Sequence, residues 1–181
     1  MEENRVKISL HKELKRSAPD DLRELVPKGR KKTVEFDPGH LDLVLFLIIN
    51  LFNLLTTVIL LARTRGMAQL EYNLGLILVA TIAPVGAIII LNYMNQREWW
   101  TTVLPLFFLA FLVLELVLDY VLKLNFRQTY MLWPYLTLFY MSQFTMIGFS
   151  FLANKQYGYV TLVTYFILLV ATLYTRMKGF P

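Results

Sequence analysis

The sequence predicts an all-α integral membrane protein, a bundle of about five transmembrane helices behind a polar N-terminal tail. Three observations predict it. Of the 181 residues, 56% are hydrophobic and 14% aromatic, with a mean hydropathy of +0.50, above the roughly 45–50% apolar share of ordinary soluble domains. The charges are also segregated: ten of the 18 Lys and Arg and eight of the 13 Asp and Glu precede Leu41, leaving eight basic and five acidic groups for the other 141 residues. So few charges cannot cover the surface of a soluble fold, whereas a bilayer can stand in for that surface. Finally, five apolar stretches follow residue 40, each near the ~20 residues a helix needs to cross a ~30 Å hydrocarbon core.

Residues 1–40 form the polar tail. Val6, Leu10 and Leu14 recur every four residues, which fits a short amphipathic helix, and Val6 to Leu10 equally fits a strand. Ser17-Ala18-Pro19-Asp20-Asp21 carries the capping hydroxyl, early proline and acidic first turn of a helix start, and Val26-Pro27 ends that helix. Lys28, Arg30, Lys31 and Lys32 then stand about ten residues before the membrane, placed for contact with anionic lipid headgroups. No apolar signal stretch lies between Met1 and His40, so the first span is expected to act as an uncleaved anchor.

The transmembrane domain is expected over residues 41–181, with spans at 41–62, 73–95, 101–122, 133–153 and 157–175. Asp37-Pro38 opens the first as an N-cap followed by proline at the first helical position. In the second, Pro84 removes a backbone donor and is expected to kink the helix, with Gly86 and the Ala83/Ala87 pair permitting close packing. Pro105 and Pro134 are read into first turns, where proline is tolerated. Trp99, Trp100, Tyr130, Trp133, Tyr157 and Tyr159 fall at span ends, where amphipathic rings favour the headgroup level. Asn154-Lys155-Gln156 leaves a very tight turn between the last two spans; a single long or re-entrant segment is the alternative. Six cations near the membrane fall on each side, so the positive-inside rule does not decide orientation. Six further cations in the tail favour an N-terminus in the cytoplasm.

Several chemistries are excluded by what the chain lacks. With no cysteine there are no disulfides, thiolate nucleophiles or Cys-type metal sites. His11 and His40 lie outside the spans, which removes bis-histidine haem ligation and intramembrane histidine metal clusters. There is no HExxH and no Walker-type glycine loop. The tail's cations have no interleaved aromatic platform, so a nucleic-acid partner is not expected despite a pI near 9.4. No metal or cofactor is expected, and no catalytic residue is named.

Glu115 and Asp119 are the most informative pair. Four apart in the third span, they share one helix face. Each acid near the bilayer centre costs about 2.5–3.5 kcal/mol, whereas each Leu, Ile, Phe or Val returns about 0.3–0.6 kcal/mol. Fifteen such residues between Val103 and Leu122 keep the span able to insert. Intramembrane carboxylates commonly mark ion or proton sites; the alternative is a structural pair, with Lys123 next along the face able to neutralise Asp119. Asn50, Asn53 and Thr57 share a face of the first span, and the fourth offers Tyr140, Ser142 and Gln143 near its middle. A polar seam of Asn53, Glu115 and Gln143 is therefore geometrically allowed, and interhelical cement is the simpler use of the amides. The expected role is non-enzymatic: an accessory or partner-binding subunit, with the bilayer and either another protein or a second copy as partners. The alternatives are a small transporter or channel for a proton, cation or polar solute using Glu115, and an enzyme acting on lipid.

Overall fold

The computed structural model describes residues 38–122 and 130–179, and all regular structure among them is helical. The readings made for the tail, including Lys28, Arg30, Lys31 and Lys32, and for Lys123 lie outside these residues. Five helices are long and apolar enough to cross a membrane: 39–64, 68–94, 100–121, 132–153 and 155–177. The first is α1 (Pro38–Thr64), opening on the expected proline. The second is broken into α2 (Ala68–Ala80) and α3 (Ile82–Met94). The third joins α4 (Trp100–Glu115) to a wide π-helical turn, Leu116–Val121. The last two are α5 (Leu132–Ala153) and α6 (Lys155–Met177).

Consecutive helices pack side by side, and α6 returns to pack along α1, closing the ring. Leu41, Leu45, Ile49, Phe52 and Ile59 give α1 a buried stripe at steps of three, four and seven residues, the spacing that keeps apolar side chains on one helical face. Phe52 stands at the centre, edge-on to both Phe108 and Phe111 of α4 with centroids 5.1 and 5.9 Å away, within the favoured range for aromatic pairs. Exposed Leu, Ile, Val and aromatic side chains cover the outside.

Three described turns show how so short a chain keeps its connections tight. After α1, Gly66 takes φ +69°; its N–H donates to Arg63 O and that of Met67 to Ala62 O, the paired bonds of a Schellman stop. The same pair closes α3, Gln96 N–H to Tyr93 O and Arg97 N–H to Asn92 O, but with Gln96 at φ +50°. Between α5 and α6 one extended residue suffices: Asn154 ends one helix, and its side-chain oxygen accepts the Gln156 N–H at 2.9 Å to cap the next. A Cβ on Gly158 would fall inside the Phe151 ring, so glycine there lets α6 start against the end of α5.

The expected kink in the second helix is present, while two readings made around the prolines need correction. The second helix breaks at Thr81, one turn before Pro84, because proline denies the carbonyl four residues back its amide and crowds it. The neighbouring small residues do not serve close packing: Ala83 and Ala87 face outward and nothing lies near a Cβ placed on Gly86. The packed face is instead Val85, Ile88, Ile89 and Asn92. Pro105, read into a first turn, is the sixth residue of α4 and buried. The carbonyl it leaves without an amide, that of Thr101, accepts instead from the Asn92 side chain at 2.9 Å.

Candidate functional site

Polar side chains gather in two buried places and at one half-buried turn. The first is a relay across three helices. Asn53 Nδ2 donates to Thr164 Oγ1 at 3.1 Å, and Thr164 Oγ1 lies 2.8 Å from Asn50 Oδ1. Asn50 Nδ2 donates to Thr161 Oγ1 at 3.2 Å, and Thr161 donates to Ser150 at 3.0 Å. All five side chains are buried. The geometry follows from sequence spacing: Asn50/Asn53 on α1 and Thr161/Thr164 on α6 are both i,i+3 pairs, so each presents two groups on one face. Between apolar helices each such bond contributes about 0.6–2 kcal/mol, and together they fasten α1, α5 and α6.

The relay uses Asn53, which the spacing also allowed to join a seam with Glu115 and Gln143. Asn53 is spent on Thr164, and neither Asn53 nor Gln143 hydrogen-bonds to Glu115 or Asp119. Across from α1, α4 presents Phe108 and Phe111 to Phe52. Thr161 and Thr164, which the sequence reading did not single out, supply the partners of Asn50 and Asn53. Asn53 Oδ1, Thr56 Oγ1 and Gln143 Oε1 are buried and find no hydrogen-bond partner among the described residues.

Glu115 closes α4, and Asp119 lies in the π turn, whose wider coil is marked by the Leu122 N–H bonding Val117 O at 2.8 Å. Both carboxylates are half-buried. The same turn carries Tyr120, whose ring centroid sits 5.7 Å from that of Tyr72. A Cβ on Gly75 would collide with the Tyr120 hydroxyl, so that glycine admits the phenol against α2. Glu71, one residue before Tyr72, is engaged by Arg63. Carboxylates and tyrosines therefore collect where the π turn meets the start of α2.

The second buried place lies at the opposite end of α1 and was missed entirely. Arg97 grips Asp42 with two parallel bonds of 2.8 Å and donates to Asn92 Oδ1 at 3.0 Å. Asn92, fully buried, passes its other end to Thr101 O, the carbonyl left by Pro105. One arginine thus ties α1, α3 and α4. The two hydrogen bonds it donates to Asp42 raise the pKa of the Arg97 guanidinium above its ordinary range, burial opposing them and the charges of Asp42 and Glu98 adding to them. A cation whose folded pKa is raised stabilises fully below its unfolded value and loses that only as pH climbs through the higher one, so Arg97 itself brings no pH dependence near neutrality. The sequence signal was there: a proline too far into α4 leaves a carbonyl in need of a donor.

Among the described residues no group of three His, Asp or Glu is placed to hold a metal ion. The fold and its polar centres define a bundle of five helices, each apolar and long enough to cross a membrane, fastened by a side-chain relay and an arginine clamp. No family of proteins, no curated protein and no solved structure matches this chain.

Proposed function

We propose that this is a multi-pass integral membrane protein whose five apolar helices cross the bilayer with the N-terminal tail in the cytoplasm, and that it serves without catalysis as an accessory or partner-binding subunit of a membrane assembly. The observation that carries this reading is where the polar groups go. The buried Asn, Ser and Thr side chains bond one another across α1, α5 and α6, and phenylalanines fill the centre around Phe52. Polar groups used in this way hold helices together. The charged tail, ten cations and eight acids in forty residues, supplies the feature suited to a soluble partner, and Lys28, Arg30, Lys31 and Lys32 suit the headgroups beside it. Crosslinking in native membranes tests the proposal: the full chain should enter a larger assembly, and a chain lacking residues 1–32 should lose it. Recovery of monomer alone from the full chain would overturn it.

One observation favours a second reading, passage of a proton, cation or small polar solute. Asn53 Oδ1 and Gln143 Oε1 are buried acceptors without a donor among the described residues, and such groups are costly unless something donates to them or binds them. On this reading Glu115 and Asp119 at the π turn serve as the charged group of the route. Vesicles containing the protein should then show a flux that Glu115→Gln reduces by at least about tenfold, the scale set by losing a charge from a desolvated site; equal flux removes Glu115 from the route.

A further inference from the structure

Alongside the closed interior, α1 and α6 leave an open groove of about 510 Å³ between their C-terminal halves. Arg65 and Lys178 stand at its mouth, the first residue past Thr64 and the first past Met177. Both are exposed, and among the described residues neither forms an ion pair. Lys178 leans over the Tyr174 ring, 5.8 Å from its centroid. Glu71, the acid nearest in sequence to this end of α1, is engaged by Arg63. The walls below are Leu61, Ile167 and Val170. Thr57 and Thr64 also line the groove, but their hydroxyls donate back to Asn53 O and Leu61 O of their own helix, so the surface they add is largely methyl.

We propose that this groove is a binding site for an anionic phospholipid, its phosphate held between Arg65 and Lys178 and one acyl chain laid along Leu61, Ile167 and Val170. Charge and depth together select this occupant. Two cations placed one residue beyond apolar helices lie where the headgroups of a bilayer lie. Thr57 is eight residues below Arg65 and Ile167 eleven below Lys178, so at about 1.5 Å per residue the groove descends roughly 12–16 Å, about the half-thickness of a ~30 Å hydrocarbon core. A soluble phosphate would use the mouth and leave the apolar walls in contact with nothing of its own. A diacyl lipid uses both. The site rests on the membrane placement proposed above, but not on the accessory role.

The test uses the full chain, purified in a delipidating detergent and titrated with phosphatidylglycerol, phosphatidylcholine or glycerol phosphate, with bound lipid counted by native mass spectrometry. The wild type should retain phosphatidylglycerol in preference to phosphatidylcholine and bind glycerol phosphate weakly. R65Q/K178Q, two exposed changes that do not threaten folding, should lower phosphatidylglycerol affinity by about 30-fold, each cation near the surface contributing about a fivefold factor. Ile167→Trp, which fills the groove and keeps both cations, should abolish retention, and Lys155→Gln at the other end of α6 should change nothing. Equal retention by R65Q/K178Q, or equal binding of the two phospholipids, would overturn the proposal. Should Ile167→Trp lose helicity, Val170→Phe takes its place, and full retention by a folded groove-filling variant would reduce the site to surface charge. Loss of lipid selectivity in a chain whose loops still alternate across the membrane overturns this site alone.

Discussion

Pro84 and Pro105 set the same problem in two apolar helices and receive different answers. Each denies an amide to the carbonyl four residues earlier. At Pro84, on the outward face, the helix gives way at Thr81, whose hydroxyl and amide both turn back to Leu78 O. At Pro105, inside the bundle, α4 runs on unbroken and Asn92 reaches across from α3 to serve the Thr101 carbonyl. The difference lies in the neighbours. A buried carbonyl must be satisfied, and a neighbouring helix can supply the donor; among the described residues none does so at the outward face of the second helix, and the backbone adapts. Because Asn92 is itself held by Arg97, and Arg97 by Asp42, the inner proline becomes the root of a clamp across three helices. The outer one remains a local bend.

The largest expected effect comes from the hub of that clamp. Arg97→Ala strands the Asp42 carboxylate, only 15% exposed, together with Asn92 Oδ1, and should cost about 3 kcal/mol, read as a lower midpoint for thermal unfolding in micelles. Next is Asn92→Leu, which orphans the Thr101 carbonyl and one Arg97 bond and should cost about 2 kcal/mol. In a Pro105→Ala background, where the restored amide can serve Thr101, the same change should cost about 1 kcal/mol less. Simple additivity in that cycle would show that Asn92 does not answer for Pro105. Gln96→Gly should act in the opposite direction and stabilise by about 0.5–1 kcal/mol, since a non-glycine residue pays for a left-handed backbone there. Smallest is Pro84→Ala: the outer bend carries no cross-helix partner, so stability should shift by less than about 0.5 kcal/mol. Its signature is local: the amide newly present at position 84 should be protected from hydrogen exchange by a bond to the carbonyl of Ala80.

The helices were legible in the sequence and the contacts between them were not, for one physical reason. Hydropathy and length act within a segment, so five stretches, the Pro38 start and the Asn154 turn could be read residue by residue. Their ends moved outward where polar residues continued the coil, as at Ala68, five residues before the expected start. Neighbour choice acts between segments. For Asn53 the spacing allowed a partner in the third span as well as a role as cement between helices; which helix supplies the partner, Thr164, depends on which face of α6 meets α1. The Glu115/Asp119 pair was noticed for its charge, while the π turn that holds Asp119 and brings Tyr120 onto Gly75 has no period in the sequence to announce it.

The central claim is that five helices cross a bilayer in alternation, and the absence of native cysteine makes it directly measurable. Single cysteines at Ser9, Gly66, Gln96, Gln128, Gln156 and Gly179 can each be challenged in sealed membranes with an impermeant maleimide. The account predicts labelling from outside at 66, 128 and 179, and at 9, 96 and 156 only after the membrane is opened. Two neighbouring positions in that series labelled from the same side would contradict it.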